Sequence, residues 1–186
     1  MKSGAVILLL ASCLYGVLSN AQVADTIPWQ SKQTLNWTDY KGLPDDQSHF
    51  TALTHAEIKY KVTVYKTLAR FEFVTLFMKK SSWTKTKRDA VLLEHEQIHF
   101  NIAELHKRKM MEILSTEKFS YNGFEATIKS IGDSINLLRH RMDNAFDAEV
   151  ANMQDNILVN KWKKEIGEAL DKLRLYDRNN IFISFK

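Results

Sequence analysis

The helix that decides the fold is written in residues 92–105, LLEHEQIHFNIAEL. Apolar and histidine side chains recur at helical spacing in and after this stretch, and they are Leu92, His95, His99, Ile102, His106, Met110 and Ile113. The four residues 86–89, Thr-Lys-Arg-Asp, have the form of a capping box, in which a hydroxyl and a carboxylate bond free amides at a helix start. We therefore expect one long helix that begins at about Thr86.

Strand patterns precede this helix, and further helical patterns follow it. Apolar and polar residues alternate over residues 56–64 and again over 71–77, which predicts an antiparallel hairpin. Helical patterns follow Asn122-Gly123 and continue to about Arg174, and residues 181–185 indicate a last short strand. The predicted fold is α+β, with a small antiparallel N-terminal sheet packed on two or three long helices.

The composition limits the class of protein. The chain has 186 residues, which fits one domain at roughly 100–200 residues per domain. It contains only 6 Gly and 2 Pro, so a turn-rich all-β sandwich is disfavoured. The net charge is +4 and the basic residues are spread along the chain, so no nucleic-acid partner is expected. We interpret the basic run Lys107-Arg108-Lys109 as a solvated helix face.

Residues 1–21 have the pattern of a cleaved signal peptide. Lys2 precedes an apolar run, and Ser19-Asn20-Ala21 places small residues where a signal peptidase reads. The run is too short for a transmembrane helix, and no later segment approaches one. We predict an exported protein, periplasmic or secreted, with residues 22–186 as a single domain. Lipoprotein anchoring through Cys13 is the alternative. Because Cys13 is the only cysteine, the mature chain can bind a metal only through histidines and carboxylates.

The residues His95-Glu96-Gln97-Ile98-His99 form an H-E-x-x-H motif inside the expected helix. Residues four apart lie one turn apart on the same face, so His95 and His99 can bind one Zn²⁺ per chain. Glu96 is rotated by about 100° from His95, which suits a general base that takes a proton from an activated water. The alternative is that both histidines are core residues bonded to the backbone. Two histidines at this spacing, with a glutamate between them, favour the metal.

A catalytic zinc site needs a third protein ligand, and helix geometry sorts the candidates. We expect Glu104 to lie on the polar face and to pair with Arg108, and His106 lies roughly 10 Å along the axis from His99. Glu149 interrupts an apolar stripe, where a carboxylate is costly unless it is paired or bound to metal. We favour Glu149 as the third ligand; pairing with a lysine of another helix is the alternative. Asp147 is expected to hold a ligand imidazole through its ring N–H.

The order of these features resembles a family of exported bacterial proteins that was catalogued as a domain of unknown function and later described as zinc-dependent proteases. The matching segments are residues 35–42 (LNWTDYKG), Ser82-Trp83, 92–104, 146–149 (FDAE) and Trp162. The resemblance implies a zincin-like fold with a gluzincin-like site, in which His95 and His99 bind zinc, Glu96 is the base and Glu149 is the third ligand. The family carries Tyr-Asp-x-Glu-Thr followed by His-Gly, whereas this chain has Phe146, Val150 and Asn152-Met153 at those places.

The leading hypothesis for function is a zinc metalloprotease that hydrolyses a peptide or protein substrate. Such an enzyme also needs a residue that stabilises the oxyanion of the transition state. The candidates are His140, His55 and Tyr121. A second hypothesis is an inactive zinc-binding module of the cell envelope. A third is a metal-free interaction protein in which the two histidines are structural.

Overall fold

The structure is a computed structural model that describes residues 25–87, 89–150 and 156–186, and it is an α+β fold. The predicted signal peptide, Cys13 and Asn152-Met153 lie outside the described residues. The strands are β1 (Thr26–Pro28), β2 (Ala52–Leu53), β3 (Ala56–Val64), β4 (Leu68–Met78), β5 (Trp83–Thr84) and β6 (Asn180–Ser184). The helices are α1 (Ala90–Thr116), α2 (Phe124–Glu149) and α3 (Asn156–Lys172). The predicted class, hairpin, helices and terminal strand are confirmed at this level.

Strand β4 lies at the centre of the main antiparallel sheet. Strand β3 pairs along one of its edges, while β1 and β6 share the other edge. Buried and half-buried residues alternate along all 11 residues of β4, as the period of two requires. Its buried face presents mainly aromatic side chains toward the helices, namely Phe71, Phe73 and Phe77. The short strands β2 and β5 form a separate antiparallel pair.

Helix α1 begins at Ala90, four residues after the predicted start. The Asp89 carboxylate accepts a hydrogen bond from the Leu92 amide at 2.9 Å, so Asp89 alone is the N-cap. Thr86 instead accepts a hydrogen bond from the Thr84 hydroxyl through its backbone carbonyl. The helix then runs for 27 residues between the sheet and the other two helices, and this central position buries several of its polar side chains.

The C-terminal end of α2 and the whole length of α3 pack against the first part of α1, up to Leu105. Phe146 and Val150 from the end of α2 join Ile98, Ile102 and Leu105 of α1 and Val159, Ile166 and Leu170 of α3 in one apolar cluster. Phe146 is fully buried there. This cluster fixes the helices at the point where the H-E-x-x-H motif faces α2. No helix in the described ranges combines the length and the apolar character needed to cross a membrane.

The basic run on α1 is not a solvated face, contrary to the sequence interpretation. Lys107 and Arg108 are each 3% exposed, because α1 is covered on several sides. Both contact the carboxylate of Glu104, which is 1% exposed. The predicted pairing of Glu104 with Arg108 is therefore confirmed, but within the core rather than on a polar face. We call Glu104, Lys107 and Arg108 the buried charge network.

Candidate metal centre

Three side chains with metal-binding atoms converge where α1 faces α2. The Nε2 atoms of His95 and His99 lie 3.2 Å apart. Asp147 Oδ1 lies 3.1 Å from the first of these nitrogens and 3.0 Å from the second. Within the described ranges, this is the one group of three such residues close enough to hold an ion. We call His95, His99 and Asp147 the metal centre.

The spacing of these atoms fits a tetrahedral metal ion. Zn²⁺ keeps nitrogen and oxygen ligands about 2.0–2.2 Å away, which sets neighbouring ligand atoms about 3.3–3.6 Å apart in a tetrahedron. The three observed separations, 3.0–3.2 Å, lie just below that range. Two neutral imidazoles and one carboxylate are also a donor set that zinc uses in catalytic sites. The residues present therefore fit zinc, and they leave a fourth position for water.

The two imidazoles are oriented by contacts on their outer sides. His99 Nδ1 lies 2.9 Å from Asp143 Oδ1, so the ring proton on this nitrogen bonds the carboxylate and Nε2 remains directed at the metal centre. His95 Nδ1 is buried and has no hydrogen-bond partner among the described residues. Its ring is instead stacked on Phe146, with centroids 4.3 Å apart. Packing orients one histidine, and a carboxylate orients the other.

Glu96 is a buried carboxylate beside this centre. It is 3% exposed, and its Oε2 atom has no hydrogen-bond partner among the described residues. Burial raises its pKa, while the positive charges of the two histidines and the Thr54 hydroxyl act in the opposite direction. Thr54 Oγ1 in turn shares a 2.8 Å hydrogen bond with the Tyr40 hydroxyl. The unpartnered oxygen can accept a proton from a water molecule held at the centre.

The charges of the metal-free centre are strongly coupled. Burial alone would lower the pKa of His99, but its hydrogen bonds with Asp143 and Asp147 outweigh burial and raise this pKa to about 10. Burial would likewise raise the pKa of Asp147, yet the two histidines hold it well below its usual range. Without a metal, a proton thus takes the place of the missing positive charge.

Glu149, the carboxylate favoured from the sequence, does not lie at this centre. Its two oxygens accept hydrogen bonds from Lys161 at 2.7 Å and from the Trp162 ring nitrogen at 3.0 Å, and its side chain is exposed. Two residues of helix turn a side chain by about 200°, so Glu149 points away from the side on which Asp147 meets the histidines. Asp147, expected to orient an imidazole, is instead the carboxylate closest to both Nε2 atoms.

The other candidates from the sequence lie elsewhere. His106 is buried and its Nδ1 donates to the Ile102 carbonyl of its own helix at 2.8 Å, as a core residue does. His55 and His140 line a separate polar pocket. Tyr121 is 55% exposed, and its ring packs on Phe185. The structure therefore brings none of the three candidate helpers into contact with the metal-binding atoms.

Sequence reasoning missed Asp143 and the hydroxyl pair of Tyr40 and Thr54. A signal for Asp143 was present, because Asp143 and Asp147 are spaced four apart, as His95 and His99 are. Two antiparallel helices with such pairs can align carboxylates with imidazoles. The hydroxyl pair had no such signal, because Thr54 reaches Glu96 only through the tertiary fold.

Comparisons with known proteins give no match: no protein-family model fits the chain, and neither a curated protein nor a solved structure is similar to it.

Proposed function

We propose that this protein is an exported zinc metalloprotease with a zincin-like arrangement of its site. The observation that carries the proposal is the convergence of His95, His99 and Asp147 beside the buried Glu96. Core histidines need only one partner each, and a backbone carbonyl serves, as at His106. Here two imidazoles and a carboxylate point their ligand atoms at one another, which is costly unless a cation or protons lie between them.

In this proposal the three residues of the metal centre hold one zinc ion per chain. Bound Zn²⁺ supplies a Lewis acid that lowers the pKa of water and polarises a peptide carbonyl. Asp143 keeps His99 in the tautomer that a metal requires, because it accepts the Nδ1 proton. Phe146 covers His95 and excludes water from that side of the ring.

Glu96 acts as the general base. Its buried oxygen takes a proton from the attacking water and passes it to the leaving amine. In the metal-free protein burial raises the pKa of Glu96, and a cation bound beside it would act in the opposite direction. The Thr54 hydroxyl bonds this carboxylate, and the Tyr40 hydroxyl in turn bonds Thr54.

Export and family membership are part of the proposal and are supported by sequence features alone. Residues 1–21 have the signal pattern, and residues 92–104 carry the most specific part of the resemblance to the exported zinc-dependent proteases. We propose that the mature domain, residues 22–186, acts on a peptide or protein in the periplasm or outside the cell.

A second candidate function is a zinc-binding module without hydrolytic activity. The observation that favours it is Phe146, which stacks on His95 where the resembled family has a tyrosine. A phenyl ring offers no hydroxyl to stabilise an oxyanion. Metal binding would survive this difference, whereas turnover would be lost.

The substitution Glu96→Gln separates these functions. For the protease we expect about one zinc per chain in both wild type and variant, with hydrolysis of a peptide library lost only in the variant, by at least about 100-fold. Glu94→Gln is the matched control, since Glu94 lies on the same helix and pairs with Lys163 instead. Zinc binding without wild-type hydrolysis would support the inactive module, and hydrolysis retained in Glu96→Gln would refute the mechanism.

A further inference from the structure

A second polar site lies on the same helix as Asp143 and Asp147. It is a pocket of about 300 Å³ between the start of β3 and the middle of α2. Its polar lining comes from His55 and Glu57 on the sheet side and from Asn136, Arg139 and His140 on the helix. These residues are not part of the metal centre, and the proposed hydrolysis assigns them no role.

The charges of this pocket favour an anion. Glu57 is already paired, with Lys59 at 3.1 Å and His55 at 3.4 Å. Arg139 approaches Asp143 through Nε, at 3.5 Å, yet this buried nitrogen has no hydrogen-bond partner among the residues that the structure describes. His140 adds donor capacity beside Arg139. The pocket therefore has unused donors that match the two oxygens of a carboxylate.

A metal ion fits this pocket less well. Its two histidines and Glu57 do not form a group close enough to hold an ion, since within the described ranges only the metal centre does so. The guanidinium of Arg139 would also repel a cation.

A row of side chains on α2 leads from the pocket to the metal centre. Arg139, Asp143 and Asp147 follow one another at intervals of four residues, so they lie on one face. Arg139 contacts Asp143, and Asp143 holds His99. Eight residues of helix place Arg139 about 12 Å along the axis from Asp147. An extended peptide rises by about 3.3 Å per residue, so three to four residues cover that distance.

We propose that this pocket, which we call the carboxylate pocket, binds a carboxylate of the peptide substrate three to four residues from the bond that is cleaved. The carboxylate belongs either to the C-terminus or to an acidic side chain, and Arg139 binds it. This inference rests on the proposed function, because the second anchor of the peptide is the metal centre. It narrows the substrate class to peptides with an acidic group at a fixed distance from the cleavage site.

A binding experiment tests the carboxylate pocket without any hydrolysis. The probes are N-acetyl-tetraalanine with a free carboxylate and the same peptide as its amide, titrated into the purified protein while the Arg139 Nε–H signal is followed by NMR. We expect the acid to bind at least about 10-fold more tightly than the amide, as a charge-assisted pair requires. Equal binding of the two peptides, or equal shifts with acetate alone, would overturn the inference.

Two substitutions locate the binding. Arg139→Gln is expected to remove the preference for the acid, and Arg139→Lys is expected to keep part of it. Arg141→Gln removes the same charge from an exposed position of the same helix and outside the pocket lining, so the preference should persist. Because Arg139 contacts Asp143, zinc content is measured in each variant. A preference that survives Arg139→Gln in a folded protein would overturn the inference.

A cleavage experiment separates failure of this inference from failure of the proposed function. Peptide fragments produced by the zinc-loaded protein are expected to have a carboxylate enriched three to four residues from the cleaved bond, and Arg139→Gln is expected to abolish that enrichment. Cleavage without enrichment would overturn the carboxylate pocket and keep the protease. Acid-selective binding without cleavage would keep the carboxylate pocket and refute the protease.

Discussion

Helix α1 carries two buried groups of charged and titratable side chains, and they differ in how far the protein satisfies them. In the buried charge network of Glu104, Lys107 and Arg108, other groups of the protein satisfy the charges. Thr75 donates to Glu104 at 2.8 Å, and Arg108 reaches the Leu170 carbonyl at 2.9 Å. Asp177 and the Trp29 ring also contact Arg108. Every charge there has an opposite charge or a dipole beside it.

The metal centre lies about two turns earlier on the same helix, and its polar atoms are less completely satisfied. Glu96 Oε2 and His95 Nδ1 are buried without hydrogen-bond partners among the described residues. Three acceptor-type atoms face one another, and in the metal-free state only shared protons separate them. The contrast teaches that burial of charge alone does not mark a functional site. What distinguishes His95, His99 and Asp147 is that their ligand atoms converge on one point, an arrangement that could hold an ion.

The largest expected effect comes from removing the carboxylate of the metal centre. Asp147→Ala should abolish stoichiometric zinc binding, because two imidazoles on one helix are a weak site without an anionic third ligand. Glu149→Ala should leave zinc binding within about 2-fold, since its carboxylate bonds Lys161 and Trp162. Zinc titration against a competing chelator measures both. Loss of zinc in Glu149→Ala, with retention in Asp147→Ala, would restore the ligand set favoured from the sequence.

Breaking the closed network should affect stability rather than metal binding. Glu104→Gln leaves Lys107 and Arg108 buried without their shared carboxylate. We expect the free energy of unfolding to fall by about 3–5 kcal/mol, as for other buried ion pairs that lose one partner. Denaturant unfolding measures this change, and the folded variant should still bind one zinc. A change under about 1 kcal/mol would mean that the network contributes little.

The smallest effect, at most about 1.4 kcal/mol for each pH unit, is a pH dependence whose sign depends on zinc. In the metal-free protein the pKa of His99 is raised from 6.5 to about 10. Its contribution to stability is therefore complete below pH 6.5 and is lost as the pH rises toward 10, with a slope of up to about 1.4 kcal/mol per pH unit. The raised pKa of Glu96 acts in the same direction above its ordinary value of 4.5.

With zinc bound, the dependence should reverse below about pH 7, where the histidines of the unfolded chain, with a pKa near 6.5, hold protons that zinc-bound histidines do not. Protons compete with the metal for the histidines, so the zinc-bound protein gains stability as the pH rises. Unfolding by denaturant at several pH values, with excess chelator or excess zinc, tests both signs. The same slope in the two conditions would show that zinc does not displace the proton at His99.

Much of the fold and part of the centre could be predicted from local sequence patterns. The period of two over residues 56–64 and the helical spacing after Leu92 depend only on residues close in sequence. The same is true of the grouping of His95, Glu96 and His99 on one helix. The third carboxylate belongs to another helix, and its choice depends on how α2 is rotated against α1. The sequence pattern defines the face that α2 turns toward α1 only to within one or two residues. That uncertainty is large enough for Glu149 to be chosen where the structure places Asp147.

The error over the basic run has a different cause. Lys107 and Arg108 have the composition of a solvated face, and in an outer helix they would be one. Helix α1 is central, however, and its polar side chains find Glu104 within the core. The number of elements that cover a helix is a property of the whole fold, which periodicity within one helix does not report.

The central claim is that His95, His99 and Asp147 hold one metal ion, and the zinc content of the purified protein tests it most directly. Wild type and His99→Ala are loaded with zinc, freed of excess metal and analysed for zinc per chain. His49→Ala is the control, because His49 is an exposed loop residue. We predict about one zinc in wild type and in His49→Ala and none in a folded His99→Ala. The absence of zinc from wild type, or its retention in His99→Ala, would contradict the account.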